Sequence, residues 1–87
     1  MKAKAYISGS LVWQGEIDGV PPVGTMIIFP MQSYKKGLWP GSILRFQVTT
    51  DVPPTVDLVD DEPVLILDVD GWTVLEEAPA PPGEERE

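Results

Sequence analysis

Val64-Leu65-Ile66-Leu67-Asp68-Val69-Asp70-Gly71-Trp72-Thr73-Val74-Leu75 is the stretch whose reading decides the fold. Two runs of β-branched, aliphatic and aromatic residues flank Asp-Gly, a pair suited to a type I′ turn because both central residues of that turn take positive φ. The spacing predicts a C-terminal hairpin with Val69 opposite Trp72 and Leu67 opposite Val74. These four and Leu65 then share one face, the core face.

The same grammar extends upstream. Ten prolines and eight glycines punctuate runs of Val, Ile, Leu, Thr and aromatics, and no stretch of helical length carries a 3.6-residue apolar stripe. Lys2 to Ile7 and Leu11 to Ile17 flank Ser8-Gly9-Ser10. With Ile7 opposite Leu11, the residues Ala3, Ala5, Ile7, Leu11, Trp13 and Ile17 face inward, while Lys2 meets Glu16 and Lys4 meets Gln14. Val20-Pro21-Pro22 leads into a strand from Val23 to Phe29, closed by Pro30. Ser42 to Thr50 alternates, with Leu44, Phe46 and Val48 inward and Arg45, Gln47 and Thr49 outward. A short strand over 56–59 precedes the breaker Asp60-Asp61-Glu62-Pro63.

Together these predict an all-β, single-domain antiparallel barrel or sandwich of about six to seven short strands over residues 1–77. The segment from Ala78 to Glu87, rich in Pro and Glu, is expected to be a disordered acidic tail. Val-Pro-Pro occurs at both 20–22 and 52–54, which fits a duplicated half-barrel but is also common turn chemistry, the reading preferred here.

Composition narrows the function. Fourteen acidic and six basic residues give a net charge of −8, which opposes direct binding to nucleic acid or to anionic membranes. No apolar run approaches the ~20 residues of a bilayer span, and Met1-Lys2-Ala3-Lys4 lacks a signal-peptide core, so a soluble cytoplasmic protein is expected. A small domain without chemical motifs also fits the cargo of a mobile genetic element.

The chain has neither cysteine nor histidine, which removes thiolate nucleophiles, His-based triads and the commonest zinc ligands. Ser8, Ser10, Ser33 and Ser42 have no imidazole to activate them, and no glycine-rich phosphate fingerprint occurs. Asp68-Val69-Asp70-Gly71 has the alternate spacing of calcium ligands, but Trp72 stands where an oxygen ligand belongs. No catalytic residue, metal site or cofactor is assigned, and the chain is read as non-enzymatic. A carboxylate-based hydrolase is the weakest alternative, since it needs a cleft that 87 residues would struggle to build.

Two features point to contact surfaces. The long connection Met31 to Gly41 places Tyr34, Lys35, Lys36, Leu38 and Trp39 together, and with Arg45 these are the candidate residues for binding a protein or a small ligand. Its Leu38 and Trp39 equally suit a lid over one end of the barrel. On the far side of the last hairpin, Val64, Ile66 and Leu75 form a second apolar face, as do Met26 and Ile28 in the third strand. A half-exposed antiparallel sheet should be polar outside, so these five residues are the candidate interface of a homo-oligomer. The leading expectation is a self-associating binding module. The alternative is an acidic inhibitor that imitates nucleic-acid charge, built on Asp57, Asp60, Asp61, Glu62 and the acidic residues beyond them.

Overall fold

The alternation in Lys2-Ala3-Lys4-Ala5-Tyr6-Ile7 puts two alanines and an isoleucine on one side of a strand, and all three are buried in the computed structural model, which describes residues 1–82. This strand, β1 (Lys2–Ile7), is followed by β2 (Ser10–Glu16), β3 (Met26–Pro30), β4 (Ile43–Gln47), β5 (Thr55–Asp57), β6 (Val64–Asp68) and β7 (Thr73–Glu76). Among the described residues there is no helix, and so none long and apolar enough to cross a membrane.

The strands form two sheets, ordered β2-β1-β6-β5 and β3-β4-β7. The all-β class is as expected. The barrel is not closed, because no strand ladder joins one sheet to the other among the described residues. The sheet is not purely antiparallel either, since β1 and β6 run parallel, from Lys2 opposite Val64 to Tyr6 opposite Asp68.

One core fills the space between the sheets. Ala3, Ala5, Ile7, Val12, Leu65, Leu67 and Val69 come from the first sheet and its ends, and Phe29, Leu44, Phe46 and Val48 from the second. Fully burying a side chain such as Ile7, Leu44 or Leu65 contributes about 1.5–3 kcal/mol. Trp13 and Phe29 lie 6.2 Å apart between ring centroids and join the two layers, and Phe29 in turn packs edge-on against Phe46 of its own sheet at 6.0 Å. The predicted inward face of Leu44, Phe46 and Val48 is the observed one.

Three local expectations are corrected. The Asp70-Gly71 hairpin does not form. The β6 strand is central, with β1 on one side and β5 on the other, and the Val69 N–H donates to the Tyr6 carbonyl at 2.8 Å. Asp70 is not among the positive-φ residues, so the I′ geometry is absent and the chain crosses to the second sheet, where β7 pairs with β4. Trp72 still packs against the core, but Val74 is 42% exposed.

At the N-terminus, Lys2 faces Glu16, Lys4 faces Gln14 and Ala5 faces Trp13 as expected, but a bulge then shifts the register, so that Tyr6 faces Leu11 and Ile7 faces Ser10. The consecutive Val12 and Trp13 therefore both pack into the core, and Leu11 turns outward. The turn has shrunk to Ser8-Gly9, with φ of 50° and 82°. Finally, Val23 is not in a strand. The Thr25 N–H donates to the Pro22 carbonyl at 3.1 Å, closing a turn that leaves Val23 exposed, and β3 begins at Met26.

Candidate functional site

The segment from Met31 to Gly41 is sewn down along its first half. The Met31 N–H donates to the Ser42 carbonyl and the Gly41 N–H to the Met31 carbonyl, both at 2.8 Å, extending the β3–β4 ladder to the base of the loop. The Gln32 N–H donates to the Val12 carbonyl at 2.7 Å. The Gln32 side chain then behaves like a peptide group: its Oε1 accepts the Gln14 N–H at 2.9 Å and its Nε2 donates to the Gln14 carbonyl at 3.2 Å. Ser33 Oγ donates to the Leu11 carbonyl at 2.7 Å, and Lys35 Nζ to Ser10 Oγ at 2.8 Å. Residues 32–35 thus occupy the outer edge of β2 and satisfy backbone groups that an edge strand otherwise leaves open.

Beyond the seam the loop folds into a miniature hairpin. Lys35 and Leu38 exchange two backbone hydrogen bonds, of 3.1 and 2.9 Å, around Lys36-Gly37, whose φ values are 56° and 80°. Glycine takes this conformation freely, whereas Lys36 takes it at a cost. The residues flanking the bridge, Tyr34 and Trp39, are brought into a tilted contact, with ring centroids 4.4 Å apart and planes inclined by 49°. Tyr34 is 53% exposed, Trp39 is half-buried and Lys36 projects into solvent.

Both expected roles of the loop are therefore divided among its residues. Met31 and Leu38 are buried and belong to the core, so Leu38 is a plug and not a contact residue. Tyr34, Lys35, Lys36 and Trp39 form the outward part. Arg45 is not with them. It lies half-buried on β4, opposite Ile28 on one side and Thr73 on the other.

The predicted apolar interface also divides. Met26 and Ile28, 51% and 59% exposed, and Leu75, 46% exposed, belong to the β3-β4-β7 sheet. Val64 and Ile66 are half-buried in the other sheet, opposite Lys2 and Lys4 of β1 and opposite Asp57 and Thr55 of β5. They do not meet Leu75, because the hairpin that would have joined them is not made.

Two open depressions lie among the described residues: one of about 260 Å³ over Lys2, Lys4, Gln14 and Glu16, and one of about 470 Å³ over Lys2, Val59, Asp60, Asp61 and Glu62. In the second, Lys2 Nζ stands 3.9 Å from Glu62 Oε1, with both side chains well exposed. Among the described residues no group of three or more acidic side chains is placed to hold a metal ion.

Sequence reasoning missed Ser10, Gln32 and Ser33. Each is a common polar residue whose partner lies at least 18 positions away, so nothing in its neighbourhood announces the contact. Lys36-Gly37 carried only half a signal, since its glycine suits the second position of a two-residue turn while lysine is not among the residues that favour the first. Compared with protein-family models, with curated proteins and with solved structures, the chain matches none of them.

Proposed function

We propose that this chain is a non-enzymatic β module that works by contact, associating with a second copy of itself and presenting the Tyr34–Trp39 hairpin to a protein or small ligand. The observation that carries the reading is the seam between residues 32–35 and β2, which holds the two rings in place before anything binds. An aromatic side chain already fixed loses little entropy on binding, which is why such anchors dominate contact surfaces. The absence of cysteine and histidine from the chain and the openness of the depressions over Lys2 favour contact over catalysis. Lys35 and Lys36 make the hairpin locally basic on a chain of net charge −8, favouring a partner with an acidic surface.

The test is capture of partners on the immobilised native chain and on Tyr34→Ala, at low and high salt, with circular dichroism to show that both are folded. A partner held by the native chain and lost from Tyr34→Ala is the expected result. Identical captured sets overturn the reading. Capture of basic nucleic-acid-binding proteins at low salt alone, indifferent to Tyr34, replaces it with the acidic-inhibitor alternative.

A further inference from the structure

We propose that the Tyr34–Trp39 hairpin takes a proline-rich acidic segment, and that its occupant is the chain's own residues 79–87, Pro-Ala-Pro-Pro-Gly-Glu-Glu-Arg-Glu, folded back within one molecule. This rests on the contact reading above and names the chemistry that the hairpin recognises.

The course of the backbone brings the two together. The β7 strand runs antiparallel to β4, with Arg45 opposite Thr73, Leu44 opposite Val74 and Ile43 opposite Glu76. The pairing direction holds past the end of the strand. The Ala78 N–H donates to Ser42 Oγ at 3.0 Å, and a Cβ added at Gly41 would stand 3.4 Å from the Ala78 methyl. As the chain ascends from 73 to 78, its neighbours descend from 45 to 41. Continued on that course, the segment after Ala78 passes Pro40 and comes to Trp39, the half-buried ring of the hairpin. Ala80 is already half-buried, although it lies beyond the last strand.

The chemistry of the two partners matches. Pro79, Pro81 and Pro82 have no N–H to extend the ladder with β4, and they favour a polyproline II course. Such segments are recognised by exposed aromatic side chains that receive the proline rings, and Pro79-Ala80-Pro81-Pro82 has the P-x-x-P spacing of these ligands. Tyr34 and Trp39 supply two rings side by side. Residues 84–87 add three glutamates and one arginine, and the hairpin offers Lys35 and Lys36, neither of them ion-paired among the described residues. The order agrees as well. Prolines come before glutamates along the segment, and a chain running antiparallel to the hairpin meets Trp39 before Lys36 and Lys35. At about 3 Å per residue of polyproline II, the nine residues after Ala78 have the reach for this. A tethered segment acts at an effective concentration on the order of millimolar, so an external ligand of the same chemistry has to displace it.

The experiment is zero-length carbodiimide crosslinking of the native full chain, with the monomer band isolated and its crosslinks mapped by mass spectrometry. Lys2 and Glu62, 3.9 Å apart, serve as the internal standard. The expected result is an amide bond from Lys35 or Lys36 to Glu84, Glu85 or Glu87 at a yield comparable to the standard. The same glutamates should link far less to Lys2 or Lys4. Tyr34→Ala should lower the hairpin yield several-fold and leave the standard unchanged. Pro81→Ser combined with Pro82→Ser should do the same with every charge retained, and it decides the matter if Tyr34→Ala fails to fold. Equal linking to Lys2 and Lys4, links in the dimer band alone, or yields that neither variant lowers overturn the proposal. Partner capture separates this failure from that of the contact reading. Docking predicts that the double serine variant captures more of the Tyr34-dependent partner than the native chain does. With the crosslinks failed, equal Tyr34-dependent capture on both forms leaves the contact reading standing, and none on either overturns both.

Discussion

Ser8-Gly9 and Asp70-Gly71 look alike as text, yet the first closes a hairpin between neighbours in one sheet and the second carries the chain from one sheet to the other. The difference lies in what stands beside the strand before each turn. One side of β1 is free for β2, so the chain can fold straight back. Both sides of β6 are taken, by β1 and β5, so the chain leaving it has no edge to return to. A turn dipeptide offers a reversal, and burial of the preceding strand decides whether the offer is taken.

Comparing the two regions by mutation should show that difference in stability. The largest effect is expected at Leu65, in central β6 and 0% exposed: Leu65→Ala should cost about 2–5 kcal/mol in a denaturant titration, whereas Leu75→Ala, past the crossing and 46% exposed, should cost far less. Equal losses would mean that β7 is as buried as β6 and that the two turns are not so different. Next comes Gly15 in β2, where an added Cβ would stand 2.5 Å from the Trp13 ring. Gly15→Ala should cost about 1–3 kcal/mol and shift the tryptophan emission, because the ring must move off its packing on Phe29.

Smaller still is the effect expected at Gln32, whose side-chain amide bonds both backbone groups of Gln14. Gln32→Ala should cost about 1 kcal/mol and speed amide exchange at Gln14, since the edge of β2 is partly reopened. The smallest is Asp70→Ala, which should stay within about 0.5 kcal/mol because Asp70 is exposed and not at positive φ. A loss above about 1 kcal/mol there would restore the type I′ hairpin as the better description.

What was legible in the sequence was what depends on neighbours along the chain. Alternation in Ser42 to Thr50 fixed the inward face of Leu44, Phe46 and Val48, and the shared apolar face of Ala3, Ala5 and Trp13 fixed the outer half of the first hairpin, with Lys2 opposite Glu16. The bulge at Val12 was hidden because inserting one residue leaves composition and alternation almost unchanged on either side. The pairing of β1 with β6 was hidden for a different reason: alternation says which side of a strand is inward and nothing about which distant strand lies next to it. The aromatic hairpin was legible as a loop with anchors, but the hydrogen bonds that fix it join Leu11 to Ser33 and Ser10 to Lys35, across more than twenty residues.

The parallel ladder between β1 and β6 has a consequence for biosynthesis. The first hairpin leaves the ribosome with Ala3, Ala5 and Ile7 on an uncovered face, and their neighbour in the sheet is about fifty residues behind. At about 5–20 residues per second that interval lasts roughly 3–10 seconds. A two-stranded hairpin is marginal in water by itself, so the emerging chain carries a half-made sheet with the β1 edge unpaired for longer than most domains of its size take to fold. The alanines keep that face low and weakly adhesive during the wait.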